Sequence, residues 1–286
     1  MSNSSKNHRS IAHDRNKNFN DVIIHVDHAD VIIARAEDDR CKVLVCENKE
    51  APNVVTRTSE ALSVVTKDDR GLVKRIFSSK KADKITVLLP KSSYRSLYVN
   101  IKSGSLAVSG GLSFENLEAA IMSGNVNINA EVTNAANVDI MKGNLQTYKT
   151  TIGELTSAIS SGEIILDTTH VAGDIEASIA RGNLIAREVV CGSISSDIAN
   201  GKNDLTGLVA EESMSLSVAT GKITLDGCDA KEIYADVAVG GISGSLLSDK
   251  IFTAKVGVGK VNVPTTADGG RCNAKVSVGS IDLKIK

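Results

Sequence analysis

Acidic residues are the most obvious candidates for chemistry in this chain. Asp139, Asp197 and Asp236 occupy one equivalent position of a phrase that recurs along the sequence. A pair of carboxylates about 6.5–9.5 Å apart can act as general acid and general base in the hydrolysis of a polysaccharide. If successive phrases are neighbouring strands, Asp197 lies about 9.6 Å from Asp236 and about 14 Å from Asp139. This spacing favours a solvated face over a catalytic pair, and the sequence predicts no catalytic residues.

Two further groups of side chains could bind a cation. Glu154 and Asp174 each follow a glycine and should lie on neighbouring repeats, where their carboxylates and backbone carbonyls could share an ion. In the segment from His25 to His28, alternation along a strand puts His25 and Asp27 on one face and His28 on the other. Only two ligands therefore converge there. Both groups are interpreted as hydrated surface side chains, and the sequence predicts no metal site.

The sequence also gives no sign of a cofactor. The pair Gly257 and Gly259 lies inside a repeat, without the following helix that a dinucleotide site requires. The chain has five cysteines and no C-x-x-C pair, which argues against a zinc site or a redox motif. We therefore predict no cofactor, and we interpret the odd number of cysteines as typical of a reducing compartment.

The dominant feature of the sequence is a repeated phrase of alternating apolar residues that ends in a glycine. Successive glycines are 19 or 20 residues apart, and alternation indicates strands rather than helices. A period of this length is typical of a solenoid, in which each repeat is one coil. Each glycine is expected to occupy a corner that needs a positive φ. These structural turn glycines are Gly104, Gly124, Gly143, Gly162, Gly182, Gly201, Gly221, Gly240, Gly259 and Gly279.

The same alternation predicts which side chains point outward. In one coil, Ile175, Ala177 and Ile179 should face the core while Ser178 and Ala180 face outward. Small side chains recur at these outward positions and would form a flat, weakly charged surface. This surface could pack against another copy or a flat ligand, or be covered by the N-terminal segment. The predicted interaction face consists of Ser160, Ser178, Ala180, Ala199, Ser217, Ala219 and Ala238.

The chain is expected to have three parts. Residues 1–20 are polar and predict a disordered tail. Residues 21–96 contain irregularly spaced strand-like runs that should cap one end of the stack, with Ala29 in the glycine slot of a first coil. Residues 97–286 are the solenoid repeats. They end in an uncapped coil whose alternating Lys284 and Lys286 would protect the open edge.

Charge and hydropathy limit the class of partner. The formal net charge is −1, which argues against a nucleic-acid binder. No stretch approaches the roughly 20 apolar residues that a membrane-spanning helix needs, and the N-terminus lacks a signal-peptide pattern. These features predict a soluble protein of the cytoplasm.

The combined motifs resemble a known family. A strand of the form ITVLLP, Ile85 to Pro90, precedes coils marked by SGSL at Ser103 and SGNV at Ser123. This order resembles the bacterial β-strand-repeat domain called "putative adhesin", over about residues 21–286. The resemblance implies an all-β, right-handed parallel β-solenoid (β-helix) of about ten coils with an N-terminal β cap. It also implies a role in the cell envelope, which is the alternative to a cytoplasmic location.

The function favoured by these features is non-enzymatic. We expect an adhesin-like binding or structural protein whose partner is an unidentified protein or an envelope polymer. Lys255 and Lys275, on adjacent coils, are candidates for contact with an anionic polymer. A self-assembling scaffold that stacks end to end as a homo-oligomer is the first alternative. A polysaccharide-active β-helix enzyme is the second.

Overall fold

The computed structural model describes residues 7–13, 19–38, 40–47, 52–66 and 82–286. The described residues contain strands, turns and bends but no helix, and hence no helical segment able to cross a membrane. They form two compact units, Met1–Asn134 and Ala135–Lys286. Each unit is a stack of parallel β coils, so the predicted all-β solenoid of about ten coils is confirmed.

The N-terminal unit begins with a coil that has neighbours on both sides. The strands of this unit are β1 Asn7–His13, β2 Asp21–Arg35, β3 Cys41–Glu47, β4 Asn53–Arg57, β5 Ala61–Thr66, β6 Asp83–Leu89, β7 Ser93–Ser103, β8 Leu106–Val108, β9 Ser113–Ser123 and β10 Val126–Ile128. The coil with neighbours on both sides is formed by β2. On one side β2 pairs in parallel with β7 and β8, which pair in turn with β9 and β10. Because His28 pairs with Ser103, Ala29 lies beside Gly104, as its place in the repeat predicts.

The other side of β2 carries a coil that the sequence did not reveal. Both β5 and β6 pair with β2 in parallel, so together they take the place of one more coil. Antiparallel strands then cover its outer side, because β4 pairs with β5 and β3 pairs with β6. The predicted tail also differs, since Asn7–His13 form β1 on the edge of β3; residues 1–6 and 14–18 lie outside the described residues.

The C-terminal unit is a stack of mostly long strands that keep one register around their corner glycines, with shifts at Cys191 and Asp226. After β11 Glu131–Lys142, which includes the boundary between the units, the strands are β12 Leu145–Tyr148, β13 Thr151–Asp167, β14 His170–Val171, β15 Ile175–Arg187, β16 Val190–Thr206, β17 Val209–Cys228, β18 Glu232–Leu246, β19 Lys250–Asn262 and β20 Gly270–Ile285. Glycine pairs with glycine at each corner, from Gly162 with Gly182 through Gly201 with Gly221. The repeats therefore form continuous columns of equivalent side chains.

The corner glycines are required by two independent features of the backbone. All ten predicted glycines have φ between 137° and 153°, a region that residues with a Cβ rarely adopt. A Cβ built on Gly182 would also overlap the carbonyl oxygen of Gly162 in the neighbouring coil. The coil spacing therefore leaves no room for any side chain at this corner.

A second column of left-handed residues lies six residues after the corner glycines. Lys149, Thr168 and Glu188 have φ of 46°, 49° and 50°, and Gly207 and Gly227 continue the column at 62° and 61°. This φ lies in the left-handed α region, which residues other than glycine can adopt at a modest cost. The column therefore tolerates different residue types, and the sequence does not mark it.

The predicted alternation of inward and outward side chains is confirmed in the strand that leads to Gly182. Ile175, Ala177 and Ile179 are buried, while Ser178 and Ala180 are exposed.

Past the corner glycine the alternation shifts: Val190, the apolar residue that returns eight positions after Gly182, would face inward by its spacing. Val190 is 40% exposed, and its neighbours Val189 and Cys191 fill the core instead. The left-handed turn at Glu188 sets this parity, so counting residues from the glycine does not locate the inward position.

The last two strands are not stacked in chain order. β20 pairs with β18 on one side and with β19 on the other, so the final strand of the chain is inserted between its two predecessors. The expected open edge at the C-terminal strand is therefore wrong, and β19 forms that edge instead. Pro264 ends β19 after Asn262, and a residue without an N–H donor suits an edge strand. β20 continues to Ile285 and buries Ile281 and Leu283.

Candidate functional site

The structure brings the seven predicted face residues onto the outer surface of the C-terminal unit. Ser178 pairs with Asp197, Asp197 with Ser217, and Ser217 with Asp236, which makes one column across four coils. A second column lies two residues further along the same strands. Its members are Ser160, Ala180, Ala199, Ala219 and Ala238, and all of them are exposed. We call the seven predicted residues in these columns the small-residue face.

The acidic residues in this surface do not form a pair. Ser217 lies between Asp197 and Asp236 in the register, so their strands are two spacings apart. The carboxylate of Asp236 instead lies 3.7 Å from the Nζ of Lys275 on the next coil. Both side chains are more than half exposed, so this ion pair stabilises the fold only weakly.

One of the two acids considered for cation binding accepts a backbone hydrogen bond. Leu155 pairs with Ile175, which puts Glu154 and Asp174 on neighbouring coils as predicted. One carboxylate oxygen of Asp174 accepts a hydrogen bond of 2.9 Å from the backbone N–H of Ser193. Among the described residues, no three His, Cys, Asp or Glu side chains lie close enough to hold a metal ion.

The histidine segment is organised by an ion pair. The carboxylate of Asp27 lies 2.5 Å from the Nζ of Lys102, and the Asp27 side chain is only 12% exposed. The backbone N–H of Asp27 donates to the hydroxyl of Thr66. His25 and His28 are both exposed whereas Asp27 is buried, so the prediction that His25 and Asp27 share a face is wrong. The segment therefore uses its one acid to bind a lysine.

A pocket with both charged and apolar lining residues, near the end of the C-terminal unit, was missed by sequence reasoning. It has a volume of about 370 Å³, and its lining includes Glu211, Asp229, Lys231, Ser248, Lys250 and Gly270. The insertion of β20 creates this pocket, because it puts Gly270 beside Lys231 and moves β19 one coil outward. Asp229 and Ser248 are 19 residues apart, so the repeat itself puts them on neighbouring coils, whereas the position of Gly270 beside Lys231 depends on the inserted strand.

Within the pocket, Lys250 is a buried cation with two side-chain partners. Its side chain is 3% exposed, and its Nζ lies 2.6 Å from a carboxylate oxygen of Asp229. The Nζ also donates to the hydroxyl of Ser248, which in turn donates to Asp229 over 3.0 Å. The hydroxyl of Thr266, in the connection to β20, donates to the backbone carbonyl of Lys250. The cluster thus ties the connection between β19 and β20 to the adjacent coils.

All five cysteines are free thiols, and burial controls their chemistry. Desolvation raises the pKa of Cys191 to about 12 and the pKa values of Cys41, Cys228 and Cys272 to about 11. Because the thiolate is the reactive species, these four thiols should be inert in the folded protein.

We therefore expect Ellman's reagent at pH 8 to label at most the half-buried Cys46 in native protein. At that pH a thiol with a pKa of 11 is ionised to only about one part in a thousand. Addition of guanidinium chloride should release the other four thiols in step with the loss of the β-sheet circular dichroism signal. Rapid labelling of all five thiols before unfolding would contradict the burial described here.

The predicted lysine column is confirmed in its geometry. Lys255 pairs with Lys275 across β19 and β20, and both side chains are exposed. Lys275 also faces Asp236, which partly neutralises it, whereas Lys255 lies on the outermost strand.

Comparison with known proteins identifies the fold and the family. A solved structure from Parabacteroides distasonis ATCC 8503, described as a "putative lipid binding protein", has 15% sequence identity and a TM-score of 0.55, over 99% of this chain and 98% of that chain. A "putative adhesin" from the same organism has 12% identity and a TM-score of 0.46, over 98% of each chain. A "putative adhesin" from Bacteroides fragilis NCTC 9343 has 13% identity and a TM-score of 0.38, also over 98% of each chain.

No curated protein gives a significant match to this chain. A family model, Toastrack DUF4097, matches residues 19–184, which is more than half of the 286 residues. Together with the stacked coils of both units, this match confirms the resemblance inferred from the repeated phrases. The chain belongs to the Toastrack DUF4097 family.

Proposed function

We propose that this chain is a non-enzymatic, adhesin-like binding protein that presents its small-residue face to an envelope polymer or a partner protein. The observation that carries the proposal is the shared register of β15 to β18 in the segment before their corner glycines, which lines up exposed small side chains over four consecutive coils. Small side chains let a flat partner approach the backbone of the sheet closely. The acids within the surface are held apart by the same register, which supports binding rather than hydrolysis.

Crowding the small-residue face is expected to abolish binding without unfolding the protein. Ala199→Arg and Ala219→Arg each introduce a long charged side chain at an exposed position on neighbouring coils. Binding of purified protein to isolated cell-envelope polymer and to phospholipid vesicles should be measured by sedimentation. We expect each variant to lose at least about tenfold in affinity, a change of about 1.4 kcal/mol.

The matched control is Thr206→Arg, which adds the same side chain at an exposed position of β16 beyond its corner glycine. It should bind like the unmodified protein, and all three variants should keep the native melting temperature. If the control and the face variants bind with the same affinity, whether or not that affinity is lower than that of the unmodified protein, the small-residue face is not the binding surface. Turnover of a polysaccharide that Asp197→Ala abolishes would contradict the non-enzymatic role.

A further inference from the structure

The end of the C-terminal unit is an incompletely covered core. In β18 and β20 the inward residues that precede the corner glycine are buried, with no more than 2% of each residue exposed. They are Ile233, Ala235, Val237, Cys272, Ala274 and Val276. The equivalent residues of β19 are Phe252, Ala254 and Val256, and each of them is only half-buried. β19 pairs with β20 along one side, and no described strand pairs with its other side. The edge therefore offers both free backbone groups and an uncovered apolar row.

Exposed apolar side chains are concentrated at the same end of the unit. Val239, Val278 and Val258 form one column on adjacent strands, and they are 50%, 49% and 69% exposed. In earlier coils the same column contains polar residues, Asn200 and Thr220. A run of exposed valines confined to the coils beside an open edge indicates a contact surface.

Two lysines of the edge strand differ from the other lysines at this end of the unit. Three of the others are paired with acids: Lys250, at the start of β19, with Asp229, Lys275 with Asp236 and Lys286 with Asp226. Lys255 and Lys260, both on β19, have no ion pair among the described residues, and β19 contains no acid. A strand added to this edge would be favoured by carboxylates at the positions that face these two lysines.

We propose that the free edge of β19 accepts an extended, acidic segment of a partner protein as an additional parallel strand. The fold itself shows the required pattern, because β18 places Ala235, Asp236 and Val237 against β20 so that Asp236 meets Lys275. A segment of the form apolar, x, apolar, acidic, apolar would cover Phe252, Ala254 and Val256 and pair its acid with Lys255. Backbone hydrogen bonds would provide affinity and the alternating side chains specificity. This binding surface goes beyond the small-residue face and does not depend on it.

A second copy of the chain fits this edge less well. In an edge-to-edge pair, two β19 strands would bring only lysines together and no acid. Head-to-tail stacking would not continue the parallel coils, because in the described part of the N-terminal unit β5 and β6 occupy the outer side of β2 and are themselves covered by the antiparallel strands β4 and β3. The observations therefore favour a partner strand that carries carboxylates.

The probe is a fluorescein-labelled synthetic peptide with the sequence of β18, EIYADVAVGGISGSL, which contains the acidic pattern. Binding to the full-length protein is measured by fluorescence anisotropy at low and physiological salt. We expect the peptide to bind, and a peptide with lysine in place of its aspartate to bind at least about tenfold more weakly. Lys255→Glu should reverse this preference, whereas Lys260→Glu should have a smaller effect, because Lys260 would face the second glycine of the GG pair in this peptide. Lys222→Glu, at an exposed position of β17, is the matched control and should leave both affinities unchanged.

Hydrogen exchange locates the added strand, since the amides of β19 should gain protection when the acidic peptide binds. Equal affinity for the two peptides, protection confined to other strands, or no detectable binding would overturn the proposal. A stable dimer of the protein alone that protects β19 would also overturn it, because a second copy would then occupy the edge.

Discussion

Replacing Gly182 with valine should lower the free energy of unfolding by more than about 3 kcal/mol. The backbone at this corner has a φ of 142°, and holding a residue with a Cβ there costs on the order of 1–3 kcal/mol. The added Cβ would also overlap the carbonyl oxygen of Gly162, so the two coils must move apart. Overpacking of this kind costs about 1–3 kcal/mol more. Thermal unfolding followed by circular dichroism should show the loss as a lower melting temperature.

Two control variants separate the corner from its surroundings. Ser178→Lys adds a large charged side chain on the outer face of the same strand and should change the melting temperature very little. Gly207→Asn adds a Cβ to the second left-handed column, where φ is 62° and the close atoms belong to the flexible Glu188 side chain. That change should cost less than about 1 kcal/mol, since asparagine tolerates this region. If Gly207→Asn were as damaging as Gly182→Val, steric exclusion at the corner would not explain the repeated glycine.

The sequence was sufficient to predict the coils because one steric rule acts in every repeat. Each corner at φ near 140° excludes all side chains, so glycine recurs there and its spacing reveals the period. The alternation around Gly182 then fixes which residues face the core, as with Ile175 and Ile179. By contrast, Lys149 and Thr168 occupy a left-handed corner that many residues can adopt. The sequence therefore carried no signal for the second corner, and the inward position near Val190 was predicted one residue out of place.

The order of the coils could not be predicted, because the repeated apolar and glycine pattern is nearly the same in every coil. It therefore does not determine which coil packs against which. β19 and β20 contain nearly the same pattern, so either could lie against β18. The inserted position of β20 depends on differences outside the phrase, such as Pro264 after β19 and the longer apolar alternation through Leu283. The coil formed by β5 and β6 was missed for a related reason, since residues 67–81 separate its two halves in the sequence.

The candidate surfaces also differ in how far the sequence predicts them. The small-residue face follows from the period alone, because equivalent positions of consecutive coils must lie side by side. The open edge at Lys255 and the position of Gly270 in the Asp229 pocket depend on the inserted strand, and no local pattern indicates it. Whether the small-residue face binds a partner stays a prediction that the proposed binding experiment tests.

Removing the carboxylate of Asp229 should be nearly as damaging as the glycine substitution. Lys250 is 3% exposed, and Asp229 is the acid that balances its charge at 2.6 Å. Asp229→Ala would leave a buried cation whose remaining side-chain partner is the hydroxyl of Ser248. Breaking a buried ion pair on one side costs about 3–5 kcal/mol, mainly because the other charge stays desolvated. Urea unfolding of the variant should show a lower midpoint with an unchanged slope.

The double variant Asp229→Ala with Lys250→Met tests whether the loss of stability comes from the unpaired buried charge of Lys250 or from the loss of a contact alone. Methionine fills the space of the lysine stem without a charge, so the double variant should regain most of the stability lost by Asp229→Ala alone. Lys231→Met provides the surface comparison, because its ion pair with Glu212 is about two-thirds exposed on both sides and should contribute little. If the double variant were less stable than Asp229→Ala, the lysine would stabilise the fold without its acid. Recovery would instead show that the cluster holds the inserted strand through charge balance, because Lys250 begins the strand against which β20 is packed.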